Sequence, residues 1–198
     1  MQIMSPIASD ELAPTPVRFT VAEYLKMSEA GIFGDRRTEL VAGRIKKMAP
    51  QLDRHMWAVS KINRLLIQAT TPKDTLNVQG TFYLDDENAP EPDFHLFDVP
   101  VGTPREKLPL PILVVEVSST TYRRDSGIKL RTYARAGIAD YWIVNLRANR
   151  LEVYRKPENP TGKKTDWRYA SVEHQAVGET VVMLKRPKVK LQVEEMLA

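Results

Sequence analysis

The chain has 198 residues, of which 42% are hydrophobic, 8% aromatic and 27% charged, a balance that builds a core and excludes wholesale disorder. Lysine and arginine outnumber the acids 29 to 25, a net charge of +4 that permits a polyanionic partner without requiring one. Cysteine is absent, which excludes disulfides, thiolate catalysis and cysteine-based zinc sites, and His55, His95 and His174 lie too far apart for a local zinc motif.

The length suits one domain, expected over residues 18–198 behind a proline-bearing flexible leader at 1–17. The leader lacks the basic start and continuous apolar run of a signal peptide, and no segment approaches the ~18 apolar residues of a membrane span. A cytoplasmic protein without membrane contact is therefore expected.

In chain order, Thr20-Val-Ala-Glu23 has a capping-box spacing and opens a short helix to about Met27. Glu39–Val41 and Arg44–Met48 read as strands joined by an Ala42-Gly43 turn. From Asp53, Ala58, Val59, Ile62, Leu65, Leu66 and Ala69 recur at helical spacing until Thr71-Pro72 stops the helix. Strands are predicted over Leu76–Leu84, with Gly80 at a bulge, and over Glu91–Val99, with an acidic turn at Asp85–Glu87 between them.

A proline-rich connection then leads to the apolar strand Ile112–Val117. A helix over Asp125–Ala136 follows, with Asp125 near its start and Gly137 beyond its end. The next apolar strand, Asp140–Leu146, completes a βαβ unit, so the two strands should be parallel neighbours. Leu151–Arg155 pairs back through Ala148-Asn149-Arg150. Trp167–Val172, Thr180–Leu184 and Val189–Val193 are short strands, the first of them preceded by a loop at Pro157–Lys164. The predicted architecture is α/β: a mixed β-sheet flanked by helices, with additional β-hairpins.

Glu116 interrupts an otherwise apolar, doubly covered strand, where an isolated charge must be neutralised, paired or bound to a metal. Emergence at a strand end or an ion pair with an arginine is the plainer alternative. Asp93 follows Pro92 at the opening of a strand expected beside that of Glu116; by itself it reads equally well as a turn acid. On the predicted helix, Leu130, Tyr133, Ala134, Ala136 and Gly137 face the sheet. Lys129 stands roughly 70° from the centre of that face, so its stem can follow apolar surface toward Glu116. Asp125 and Tyr133 are its neighbours four residues to either side, and a solvated pair with Asp125 is the alternative. Two neighbouring carboxylates, a lysine and no sulfur suit Mg2+ or Mn2+ and phosphodiester hydrolysis.

Glu91-Pro-Asp93, Val114-Val-Glu-Val-Ser-Ser119 and the block from Arg123 to Val144 closely resemble the Uma-two family, nucleases of the restriction-endonuclease-like PD-(D/E)XK superfamily. Glu39-Leu-Val-Ala-Gly-Arg-Ile45 resembles that family's early Glu-Leu motif, and the likeness runs from about Phe19 to Val193. The resemblance implies a restriction-endonuclease-like core, Asp93 and Glu116 as metal ligands with the Val117 carbonyl as a third oxygen, and Mg2+ or Mn2+ as cofactor. It further implies DNA as partner and a homodimer.

The superfamily lysine, two residues after the second acid, is replaced here by Ser118. The family resemblance moves that role to Lys129. Glu39 is implied as an auxiliary acid, against the alternative of a hairpin residue bonded to Arg37 or Arg44. His55, one turn before the apolar stripe, is read first as structural and second as accessory, with Tyr133 also accessory; His95 is read as core or surface. Arg123, Arg124 and Arg131, with Arg135, mark a basic region for nucleic acid, against a merely solvated helix face. The expected function is a Mg2+-dependent DNA endonuclease. A catalytically inactive nuclease-fold module binding nucleic acid or protein, and a phosphohydrolase of small esters, stay open beside it.

Overall fold

The computed structural model describes residues 16–197, so all of the predicted leader except Pro16 and Val17 lies outside the described residues. The Thr20 hydroxyl and the Glu23 carboxylate close the predicted capping box, and helix α1 runs Val21–Glu29. Strands β1 (Thr38–Val41) and β2 (Arg44–Lys47) form the predicted hairpin, with Ala42 and Gly43 both at positive φ. Helix α2 (Asp53–Ala69) buries Ala58, Ile62 and Leu66, one face at helical spacing.

Strand β3 (Thr75–Val78) and strand β4 (Phe94–Phe97) are shorter than predicted. Gln79 at φ +51 turns the chain out of the sheet before Gly80, so no bulge forms there, and Asp93 precedes its strand. Strand β5 (Leu113–Ser118) is buried along its whole length. The helical segment after it begins at Tyr122, earlier than predicted, as α3 (Tyr122–Arg124), a π turn (Asp125–Lys129) and α4 (Leu130–Arg135). Asp125 therefore lies inside the helical segment rather than near its start.

Strand β6 (Asp140–Asn145) lies parallel to β5, and β7 (Arg150–Glu158) returns antiparallel after Asn149, at φ +52. β7 absorbs Pro157, the residue predicted to open a loop; β8 (Arg168–Gln175) pairs along it with Tyr169 opposite Pro157. A separate hairpin of β9 (Thr180–Met183) and β10 (Arg186–Gln192) follows. The main sheet has the order β3-β4-β5-β6-β7-β8, mixed through its one parallel pair, as predicted for the α/β class.

Alternation along the strands separates two cores. Phe94, Val115, Val117, Trp142 and Val144 face α2 and the β9–β10 hairpin. Phe97, Val114, Tyr141, Ile143 and Tyr154 face the bulged helix, where Tyr133 and Ala134 meet them. Glu116 is on this second face. No helix among the described residues is long and apolar enough to cross a membrane.

The two glycines of the bulged helix and its cap sit in opposite situations. Gly137, at φ +82, is the residue that ends α4; Gly127 has ordinary φ, and a methyl group placed on it would meet nothing within 4 Å. Gly137→Ala is expected to cost about 1 kcal/mol and Gly127→Ala to add about 0.5–1 kcal/mol, read from urea midpoints. A destabilised Gly127→Ala would mean that the π turn needs glycine's freedom.

Candidate active site

The candidate site is a cleft at the end of β5, lined by Asp93, Glu116 and Val117 from the sheet, His55 from α2, and Arg124 from α3. It forms because β4 and β5 run antiparallel with Phe94 opposite Val115, so one further step of that register sets Asp93 beside Glu116.

Asp93 is held by short-range partners. Its Oδ2 accepts the Val117 N–H at 2.8 Å and lies 3.3 Å from His55 Nε2, while Gln79 donates to Oδ1 at 3.1 Å. Burial opposes its charge, but the His55 contact and these donors outweigh it and keep the carboxyl below its ordinary range. His55 thus stands in the cleft against Asp93. Gln79 was missed, because nothing local marks a turn glutamine as a donor to an acid fourteen residues on.

Glu116 has the opposite environment. Burial raises its carboxyl to about 8 even with Lys129 beside it, and the Asp125, Asp93 and Glu39 charges add to the rise. Lys129 Nζ donates to Oε1 at 2.8 Å and Tyr133 OH to the same oxygen at 2.9 Å. Burial and the Glu116 charge keep Tyr133 a phenol, hence a donor. Both bonds fall on Oε1, which leaves Oε2 for the cleft that Glu116 lines.

Lys129 is 1% exposed, deeper than the flank position expected from 100° per residue. The reason is the π turn: Leu130 N–H donates to the Asp125 carbonyl five residues back, so one extra residue is absorbed and the wheel loses its phase. Tyr141 OH donates to that same carbonyl at 3.0 Å. Burial opposes the Lys129 charge, but Glu116, Glu39 and Asp125 hold its pKa above the ordinary lysine range. Its contacts are to Glu116 at 2.8 Å and Glu39 at 3.0 Å, in place of the alternative pair with Asp125.

Glu39 is fully buried, and its partners are neither Arg37 nor Arg44. Its Oε2 meets Lys129, and its Oε1 lies 2.9 Å from Arg124 Nη1, a charge contact without the direction of a hydrogen bond. Arg37 instead pairs with Glu91 at the cleft rim. Ser118, in the superfamily lysine position, donates to Asp125 Oδ2 at 2.5 Å and so ties β5 to the helix that carries Lys129.

The basic residues do not form one surface. Arg124 lines the cleft and Arg123 a neighbouring recess, while Arg131 opens on a third recess with Arg18, Arg44 and Arg135. Arg135 is paired with Asp85 at 2.6 Å. His95 packs on Phe82 and Phe97 outside the cleft, where burial lowers its pKa to about 4.

Among the described residues no three acids or imidazoles form a ready-made metal cage. The residues that line the cleft offer hard oxygen: the carboxylates of Asp93 and Glu116 and the carbonyl of Val117. Mg2+ keeps several waters and needs only one or two carboxylates, so the residues fit such an ion.

The Uma2 family, described as "Putative restriction endonuclease", matches residues 21–192. The crystal structure of a putative nuclease belonging to DUF820 from Anabaena variabilis ATCC 29413 has a similar fold. Its TM-score is 0.63 at 16% identity, covering 91% of this chain and 97% of that one. No curated protein matches the chain. The motifs around Glu116, the sheet that carries them and the span of the family match agree: the chain belongs to the Uma2 family.

Proposed function

We propose that the protein is a Mg2+- or Mn2+-dependent endonuclease that hydrolyses DNA phosphodiester bonds in the cleft of Asp93 and Glu116. One observation carries this reading: two carboxylates share a cleft, with environments that drive their pKa values apart. Asp93 is held ionised, whereas Glu116 is charged fully only when further positive charge arrives. Around Glu116, the acids Asp93, Asp125 and Glu39 outnumber the cations Lys129 and Arg124, and a divalent ion offsets the surplus.

Asp93, Glu116 and the Val117 carbonyl would hold the ion. Such an ion, when bound, supplies Lewis-acid stabilisation of phosphate charge and a more acidic water. Lys129 keeps its proton, so it takes none from water; it fixes Glu116 Oε1 and turns the other oxygen to the cleft. Glu39 holds Lys129 and Arg124 in place. Tyr133 fixes the same Glu116 oxygen, and His55 orients Asp93. Arg124, lining the cleft beside its Glu39 contact, is placed to meet a phosphate.

On plasmid and single-stranded DNA, cleavage is expected with Mg2+ or Mn2+ and none with a chelator. Asp93→Asn and Glu116→Gln should each lower the rate about a hundredfold or more. Cleavage that both variants leave intact would reject the site. No cleavage together with no calorimetric metal binding would favour the inactive interaction module.

Because a cation must displace the Glu116 proton, metal affinity should rise with pH up to about 8, by at most about tenfold per pH unit. Calorimetry in buffers of different ionisation enthalpy should detect the released proton, and a pH-independent affinity would contradict the role given to Glu116. Lys129→Ala leaves Glu39 and Glu116 buried without their shared cation, and is expected to cost about 3–5 kcal/mol in denaturant unfolding.

A further inference from the structure

Beside the cleft, a recess of about 370 Å3 is lined by Ser119, Thr120, Arg123, Asn145 and Arg147, among others. Ser119 and Thr120 also line the cleft of Asp93 and Glu116, so the two depressions adjoin at the end of β5. We propose that Arg123 and Arg147 grip a backbone phosphate of a nucleic-acid strand that runs from this recess into the cleft. The identity of the strand as substrate rests on the nuclease reading above; the binding chemistry does not.

Charge pairing separates these two arginines from their neighbours. Arg124 contacts Glu39, Arg135 pairs with Asp85, and Arg150 pairs with Glu152. Arg123 and Arg147 are exposed and have no carboxylate partner among the described residues. The acid beneath the recess, Glu152, is fully buried and already engaged on both oxygens. Asn145 and Arg150 donate to Oε1, and Tyr122 and Tyr154 donate to Oε2. Among the described residues, no carboxylate therefore lines the recess to repel an anion.

Glu152 also pre-organises the pair. Through the Tyr122 hydroxyl, at 3.0 Å, it anchors the helix start that carries Arg123. Through Asn145, whose Oδ1 accepts the Ala148 N–H at 2.9 Å, it anchors the turn that carries Arg147. Two guanidinium forks lining one recess suit a phosphodiester, which accepts paired hydrogen bonds from arginine. Such contacts set strand position without reading sequence. The recess of Arg131 is less suited: it includes Glu87, its Arg135 is already paired, and it shares no lining residue with the cleft.

The test is fluorescence anisotropy of the full chain with labelled single-stranded and duplex DNA over a salt series, with chelator present so that nothing is cut. Arg123→Ala and Arg147→Ala are each expected to weaken binding, and the double variant, which leaves that one phosphate unneutralised, to reduce the slope of log affinity against log salt by about 1. The double lysine variant should keep the slope, since the charges remain. Arg168→Ala, at the start of β8 opposite the far end of β7, should bind as the unaltered protein does. A double alanine variant with unchanged affinity and slope overturns the recess, as does an unaltered protein that binds neither DNA at low salt. Cleavage is scored separately with Mg2+ or Mn2+: cleavage with unchanged binding removes the recess and leaves the nuclease, and a reduced slope without cleavage does the reverse.

Discussion

The ammonium of Lys129, buried between Glu116 at 2.8 Å and Glu39 at 3.0 Å, is the contact on which the site depends. It joins the β1–β2 hairpin to two consecutive elements far along the chain, the central strand β5 and the bulged helix. A buried ion pair adds little net stability, because desolvation offsets most of the attraction, but it strongly penalises any arrangement that separates the partners. Its effect is to select one geometry. The hairpin is held against the helix, β5 keeps its acid, and one Glu116 oxygen is left to the cleft.

The π turn is the backbone's share of this selection. An unbroken α-helix from Tyr122 would carry Lys129 about 100° away from its observed position for each residue of phase difference. The Asp125 carbonyl accepts both Leu130 N–H and Tyr141 OH, and the Asp125 side chain accepts Ser118, so the irregular turn is satisfied at each of these points. Ser118, which takes the superfamily lysine's position, is therefore part of the device that brings another lysine to the acid.

Buried carboxylates organise both faces of the main sheet as well. Glu152 gathers Asn145, Arg150, Tyr122 and Tyr154, and Asp140 gathers Trp142, Arg155 and the Leu184 N–H. Each sits on a strand between apolar neighbours and binds groups from other segments of the chain, before it in sequence for Glu152 and after it for Asp140. Polar groups of this kind are tolerated only when fully partnered, which ties the local chain paths to one another.

Much of the fold was legible because it rests on short-range patterns. The α1 capping box, the Ala42-Gly43 turn, the stripe of α2 and the βαβ spacing around β5 and β6 all follow from residues within a few positions of one another. The costly charge of Glu116 was legible too, since a charge inside an apolar strand announces that something must answer it, whereas Asp93 by itself reads as a turn acid. The depth of Lys129 was not, because a helical wheel presumes α geometry and the π turn shifts its phase. Nor were the partners of Glu39, the place of Gln79 or the division of the arginines among three recesses. Local sequence determined which segments are helix and strand and where the costly charges lie. Which charges meet was decided by tertiary packing, because burial makes every such group seek partners that the chain brings near only once the sheet and the bulged helix have closed on each other.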